Sequence, residues 1–487
     1  MWPIAFRLNP ILFPILFLVF ASSSDVRAWE AAIVTDDASR LNQTRVHEIW
    51  NIPTDPVKAE AQLKQLLIRA TAENLPVSIA GARHSMGGHT IAPDGIVVNM
   101  LPFNAMELDD MQKILHVGSG ARWSSVVPYL DARGYSVWVM QSNNDFTVGG
   151  SISVNCHGWQ HNKPPIASTV KSFRIMRADG SIVRCSRDEN QELFSLALGG
   201  FGLFGIILDV ELRVVPNEVY QPVVEILDTD TYVERFEDKV TTTADVGMVY
   251  GRLCVVPGED TFLREAVLMT FIRTKAQSTD IPKIEKLGQS KLRRAVYRAQ
   301  IGHKSGKVLR WKAEVFASKR LNDKEFTRNQ LINESVTIFQ ERDEDRTDIL
   351  HEYFVPYDHF DSFISRAQKI IPKHDVELLN VTVRNVKKDS DVFLRYADQD
   401  MFAFVMLYNM KRTEQADAAM RGMTSELIEA AISCEGSYYL PYRLHATKDQ
   451  FEWAYPRSGE FFNLKRKFDP TERFQNQFYI TYGKAKP

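Results

Sequence analysis

Residues 81–88 read Gly-Ala-Arg-His-Ser-Met-Gly-Gly. They follow the apolar run Pro76-Val77-Ser78-Ile79-Ala80 and precede a second apolar run at residues 96–100, so they form a turn-rich connection between two strands. Glycine tolerates positive φ and lets the backbone approach a bound group closely, which leaves His84 as the one imidazole in a stretch otherwise suited to ligand contact.

Two further glycine-bearing stretches lie downstream: Thr147-Val148-Gly149-Gly150-Ser151-Ile152-Ser153-Val154-Asn155-Cys156-His157-Gly158, and residues 199–205. Successive amide N–H groups in such turns form concave anion sites suited to a diphosphate, and Ser85, Thr147, Ser151 and Ser153 add hydroxyl donors. Gly200-Phe201-Gly202-Leu203-Phe204-Gly205 satisfies GxGxxG, but it follows a helix expected over 189–198, with Ser186 and Glu189 in capping-box spacing, and precedes a strand at 206–212. A dinucleotide fingerprint needs strand, loop and helix in that order, so the Rossmann reading is rejected.

Around these stretches the spacing predicts a helix over 58–72, with Ala61, Leu63, Leu66, Leu67 and Ala70 on one side, and a second over 123–133 stopped by Gly134. A hairpin turns at Asp179-Gly180. From residue 217 longer strands (246–256, 265–273, 352–356, 378–386, 402–410) and amphipathic helices (358–373, 413–432) predict an antiparallel sheet covered by helices.

The chain has 487 residues, which predicts two domains, and its 59 Lys and Arg against 61 Asp and Glu exclude a general nucleic-acid binder. Residues 1–28 combine Arg7, an apolar run at 11–20 and Ala28, the pattern of a secretory signal peptide; uncleaved, the segment would be a membrane anchor. Export to a periplasm or medium is therefore expected, without a twin-arginine signal. Four cysteines form no CxxC pair; Cys254 with Cys434 is one conceivable bridge, and no metal site is expected. A stretch rich in Lys and Arg at 283–328 reads as a solvated helical insertion or as a surface for peripheral contact with anionic membrane lipid.

The segments Ile79-Ala80-Gly81-Ala82-Arg83-His84-Ser85, Thr147 to Ser153, Ala178-Asp179-Gly180, Asp188 to Phe194 and Gly199 to Ile207 resemble, in order and spacing, the FAD-binding domain of the vanillyl-alcohol-oxidase/p-cresol-methylhydroxylase superfamily. The resemblance implies an α+β fold: a two-subdomain FAD-binding PCMH-type domain over 45–217, a cap domain with an antiparallel sheet covered by helices over 218–445, and a C-terminal return over 446–487. It assigns cofactor contacts to Ala80, Gly81, Ala82, Arg83, His84, Ser85 and Gly88, to Thr147, Gly149, Gly150, Ser151, Ser153, Asn155, Cys156, His157 and Gly158, and to Gly205, Ile206 and Ile207. In that family the residue at the place of His84 often carries a covalent bond to the flavin, whereas noncovalent members use the position only for hydrogen bonding. Cys156 is read as packing against FAD.

Phe354-Val355-Pro356, Leu440 to Asp449, Tyr455-Pro456-Arg457 and Arg466 to Gln475 resemble sugar and lactone oxidases, with particular similarity to the decaprenylphosphoryl-β-D-ribose oxidases. Those enzymes lack the histidine at the His84 position, so their substrate does not transfer. The resemblance implies an oxidoreductase that oxidises a CH–OH group of a sugar, polyol or lactone-like substrate and passes electrons to O2 or to a quinone or cytochrome; a flavin-binding protein without catalysis is the alternative. The catalytic candidates it supplies are Lys448, His445 and Arg384. Lys448 has an equal reading as a solvated first-turn residue, because Thr447 and Gln450 have capping-box spacing, and Arg384 an equal reading as a surface arginine.

Overall fold

The computed structural model describes residues 33–277, 279, 294–295, 297–338, 340–341 and 343–484. The signal-peptide segment 1–28 and residues 283–293 of the basic stretch lie outside the described residues. A hairpin of β1 (Ile33–Thr35) and β2 (Thr44–Val46) opens the described chain.

A three-stranded parallel sheet follows, β3 (Glu48–Asn51), β4 (Val77–Ala80) and β5 (Ile96–Asn99), in the order β3-β5-β4. Helix α1 (Pro56–Ala72) connects β3 to β4; Pro56 opens it and Asp55 caps it by accepting from the Lys58 amide at 2.8 Å. Its buried face is Ala59, Leu63, Leu66, Leu67 and Ala70, spaced i, i+4, i+7, i+8, i+11. Ala61, expected on that face, is exposed, because two residues advance the helix by about 200°.

Next comes a six-stranded antiparallel sheet of β6 (Met106–Asp109), β7 (Ile114–Gly118), β8 (Tyr135–Val137), β9 (Val170–Met176), β10 (Ile182–Ser186) and β11 (Ile206–Pro216), ordered β10-β9-β11-β7-β6 with β8 on the end of β11. Three helices accompany it: α2 (Trp123–Asp131), α3 (Val148–Ser153) and α4 (Gln191–Ala197). The GxGxxG stretch sits between α4 and β11, in the helix-loop-strand order. Two details differ from expectation. The first residues of the 147–158 stretch are a short helix, with Thr147 as its N-cap, and α4 begins at Gln191, because Ser186 Oγ accepts from the Asp188 and Glu189 amides in a turn ahead of the helix.

The remaining sheet has eight strands: β12 (Val219–Asp228), β13 (Val246–Leu253), β14 (Glu265–Arg273), β15 (Phe326–Thr327), β16 (Arg346–Pro356), β17 (Glu377–Val386), β18 (Met401–Lys411) and β19 (Ser437–Tyr438). It is antiparallel throughout, in the order β15-β12-β14-β13-β17-β18-β16-β19. Its helices are α5 (Tyr232–Phe236), α6 (Lys304–Lys319), α7 (Arg328–Ile332), α8 (Phe360–Ile370), α9 (Glu414–Ile432), α10 (Lys448–Ala454) and α11 (Ser458–Phe468). After α11 the chain returns to the parallel sheet, where Val77 donates to Arg473 O and Gln475 donates to Val77 O.

The described part of the basic stretch is not simply a solvated insertion. Arg298 forms ion pairs with Asp348 and Glu341, buried Lys307 donates to Leu378 O at 2.7 Å, and Arg310 donates to Leu379 O. Arg328 is buried and donates to Val137 O, Trp138 O and the Tyr220 hydroxyl, tying α7 to β8. These cations satisfy carbonyls and carboxylates far away in sequence. All four cysteines are buried and free, so no Cys254–Cys434 bridge forms.

Candidate active site

Successive strand residues point to opposite faces of a sheet, and this alternation builds one wall of a large cavity. Arg252 from β13, Asn380, Thr382 and Arg384 from β17, Val405 and Leu407 from β18, and Asp348, Leu350 and Glu352 from β16 all line a volume of about 610 Å3. The register sets Arg252 opposite Thr382, Thr382 opposite Val405, and Val405 opposite Glu352, so a single rung crosses four strands. Tyr353 and Phe404 face the other way, where both rings meet Phe363 of α8.

The opposite wall comes from the three glycine-bearing stretches. Gly199 donates to Ile152 O and Phe201 to Ser153 O, which locks the 199–205 loop to α3. A Cβ on Gly81 would lie 2.2 Å from Thr147 Oγ1 and one on Gly149 2.7 Å from Ser119 Cβ, so both positions require glycine for close packing. The amides that open α3 are already used: Val148 donates to Ala121 O, Gly149 to Ser119 O and Gly150 to Thr147 Oγ1. That corrects the expectation of an anion nest there. Among the described residues, the amides of Ala82, Arg83, His84 and Ser85 have no protein acceptor, and Arg83 is left-handed at φ 57°, the backbone turn of an anion nest.

Ser85 Oγ, Thr90 Oγ1 and Ser119 Oγ are buried without partners in this wall. Buried hydroxyls left unpaired are costly, by roughly 1–3 kcal/mol each, and a phosphate- and ribose-bearing cofactor resolves that cost. Free amides, unpaired hydroxyls and the apolar surfaces of Ile79, Phe146, Phe201 and Ile207 make a donor set that fits FAD.

His84 lies in this wall with its ring against Phe146, centroids 4.3 Å apart. Burial lowers its pKa, with Arg122 adding to the effect and Asp145 opposing it, so the imidazole is neutral near pH 7. Burial pushes the Cys156 thiol up to about 12, so it is no thiolate nucleophile.

The cavity gathers most of the residues assigned to FAD: Gly81, Ala82, Arg83, His84, Ser85, Thr147, Gly149, Gly150, Ser151, Ser153, Cys156, His157, Gly205 and Ile207. Ala80, Gly88, Asn155, Gly158 and Ile206 lie outside its lining. Ala80 and Ile206 are strand core, Gly88 donates to Asp37 Oδ2, Asn155 donates to Asp389 Oδ2, and Gly158 packs against Met140 O.

Of the three catalytic candidates only Arg384 reaches the cavity, where Nη2 donates to Ser142 Oγ at 2.7 Å and Nε has no partner. His445 is buried elsewhere: its Nδ1 meets Thr424 Oγ1 at 2.7 Å, its ring stacks on His351, and burial brings its pKa down to about 4. Lys448 is the first residue of α10, its side chain 66% exposed and 3.7 Å from Glu452, behind the Thr447–Gln450 capping box. Its first-turn reading is therefore the one the structure realises. Glu352, Thr382, Arg252, Tyr439 and Tyr442 also line the cavity and were not singled out from the sequence. For Glu352, Thr382 and Arg252 the signal was a polar residue within a largely apolar strand, as at Glu352 beside Tyr353-Phe354-Val355.

Residues 56–186 match the FAD binding domain family model, and residues 210–482 match the model of D-arabinono-1,4-lactone oxidase. Relatives include an L-gulonolactone oxidase of Mus musculus, 29% identical over 157 residues, which are 32% of this chain and 36% of that protein. An L-galactono-1,4-lactone dehydrogenase, mitochondrial, of Brassica oleracea is 26% identical over 197 residues, 40% of this chain and 32% of its own. Cytokinin dehydrogenase 2 of Arabidopsis thaliana is 28% identical over 177 residues, 36% and 35% of the two chains. The matched region thus spans about a third of the length of these curated relatives. The second family model covers more than half of the chain and includes the strands that carry Arg252, Glu352 and Arg384. With a PCMH-type FAD-binding domain ahead of that match, the chain belongs to the D-arabinono-1,4-lactone oxidase family of FAD-linked oxidoreductases.

Proposed function

We propose that this chain oxidises a CH–OH group of a sugar, polyol or lactone-like substrate, with FAD bonded covalently through His84. The observation that carries the reading is one continuous cavity with a cofactor-type wall of glycine turns, free amides and hydroxyls on one side and the Arg384 floor on the other. Bound FAD supplies the two-electron acceptor for the hydride on the substrate carbon. The chain supplies the rest. The 82–85 amides and the serine hydroxyls hold phosphate, and Arg384 offers its unpaired Nε to the substrate oxygen. A neutral ring nitrogen is the nucleophile that the flavin bond requires, and burial keeps His84 in that form.

Acid precipitation of the purified holoprotein, followed by peptide mapping, tests the tether: yellow colour on a peptide containing His84 supports it, and a colourless pellet rejects it. Anaerobic mixing with D-arabinono-1,4-lactone, L-gulono-1,4-lactone, sorbitol and an α-hydroxy acid tests the activity. No flavin bleaching with any of them favours a binding protein without catalysis. Both O2 and a quinone or cytochrome remain within the proposal as acceptors, since the relatives carry the names oxidase and dehydrogenase; peroxide release on reoxidation distinguishes the two.

We also propose export directed by residues 1–28, tested by N-terminal sequencing of the mature protein. Peripheral membrane contact through α6 rests on its outer face, where Leu309 is 72% and Phe316 58% exposed among exposed Lys304, Lys312 and Lys319. Co-sedimentation with vesicles containing phosphatidylglycerol, unaffected by the double change L309E/F316E, would reject that contact.

A further inference from the structure

Oxidising an alcohol leaves the hydroxyl proton to be accepted by the protein, and most of the groups near the cavity cannot take it. Lys448 is exposed outside the cavity, and His445 is buried away from it. Burial pushes the Tyr439 and Tyr442 hydroxyls well above their ordinary value, so neither is a phenolate, and the Cys156 thiol stays protonated. Thr382 is no base, and its hydroxyl accepts from Arg252 Nη1.

Asp348 and Glu341, also in the lining, pair with Arg298, whereas on the sheet wall near Arg384 the buried acid has an imidazole partner. Glu352 and His157 both line the cavity, and Glu352 Oε1 lies 2.6 Å from His157 Nε2. One hydrogen bond therefore joins the imidazole to the carboxyl group. Oε2 receives only a long bond from Tyr442, at 3.4 Å. It therefore keeps acceptor capacity. Arg384 stands on the neighbouring part of the same floor, one residue pair further along, and its charge is within Coulombic reach of Glu352.

Given the oxidoreductase reading above, we infer that Glu352 is the proton acceptor of the reaction and that His157 is its positioning residue. The substrate O–H bond breaks, its proton goes to Glu352 Oε2, and the O–H electron pair becomes the second bond of the carbonyl as the carbon gives up its hydride. Arg384 donates to the same oxygen while charge develops on it. His157 holds the carboxylate on the floor through the contact between Nε2 and Oε1. The other titratable groups around the pair are Arg384, Cys156, Tyr396, Tyr439, Tyr442 and Tyr455. Burial keeps those hydroxyls and the thiol neutral.

The test uses holoenzyme of the full chain with E352Q, E352D and H157F, each checked for flavin content and thermal unfolding, and follows anaerobic flavin reduction by the four probes above across pH. E352Q is expected to slow reduction roughly 100- to 10,000-fold with flavin content retained, and E352D to recover part of the loss. H157F removes the group that positions the carboxylate, so the limiting rate of reduction per bound flavin should fall roughly tenfold while the half-saturating substrate concentration changes little. A purely structural role would lower flavin content or stability without slowing reduction per bound flavin. Wild-type reduction matched by E352Q at every pH overturns the role of Glu352 alone. Failure of all four probes to reduce the wild type overturns the oxidoreductase reading, and the proton acceptor with it.

Discussion

The imidazole of His84 lies over the ring of Phe146, with planes 29° apart. Phe146 directly precedes Thr147, the cap of α3, so the residue leading into the second glycine-bearing stretch packs against the histidine of the first. The pose of the proposed tether is therefore set by a residue 62 positions away in sequence. H84A should abolish acid-stable flavin, whereas F146A should slow covalent incorporation by roughly tenfold while FAD still binds, as a displaced nucleophile loses alignment. Time courses of acid-stable absorbance in reconstituted apoprotein check both.

The depressed pKa of His84 gives incorporation a pH signature. Its charged form appears only below the ordinary imidazole value of 6.5, so the incorporation rate should stay level from pH 8 down to that value and fall beneath it. A rate already halved at pH 6.5 would contradict the buried, neutral imidazole.

Removing the guanidinium of Arg384 should cost about 100- to 1,000-fold in the rate of flavin reduction, the scale of losing a donor aimed at developing oxygen charge. R384K should recover little, because an ammonium cannot reproduce the planar fork that bonds Ser142 Oγ through Nη2 while leaving Nε free. Stopped-flow reduction under anaerobic conditions measures this directly.

The His351 and His445 pair, stacked with centroids 5.1 Å apart, predicts acid sensitivity of the fold. Burial depresses both, His445 to about 4, while the unfolded chain titrates near 6.5. The unfolded state therefore binds more protons between those values, so stability is full above pH 6.5 and declines as pH falls toward about 4. For His445 the decline is at most about 3 kcal/mol. Urea unfolding midpoints should drop across that window, and H445Q should flatten the drop.

Arg328 has its side chain buried against two carbonyls and a tyrosine hydroxyl. R328A should lower stability by about 3–5 kcal/mol, since it strands those acceptors at the contact between β8 and α7. Differential scanning calorimetry of the holoprotein is the check.

How much of this was legible beforehand varies with the range of the interaction involved. The α1 period, the Asp179-Gly180 hairpin and the Thr447–Gln450 box are written in residues a few positions apart, and each appears in the structure. The charge run at 283–328 misled because Arg298, Lys307 and Arg310 find their partners 50 to 71 positions downstream. Lys448 and His445 sit in a segment that resembles an active-site strip, yet helix phase turns one to solvent and packing takes the other behind the sheet.

By itself, the sequence determined the turns that only glycine can make, the placement of His84 inside one of them, and the strand alternation that sends Glu352 one way and Tyr353 the other. Those are consequences of backbone sterics and two-residue periodicity. Only the tertiary structure decided that Glu352 meets His157, that Arg384 shares their floor, and that the 82–85 amides rather than those of α3 stay free for an anion. These depend on sheet register and on hydrogen-bond partners brought from distant segments, which local propensity does not encode.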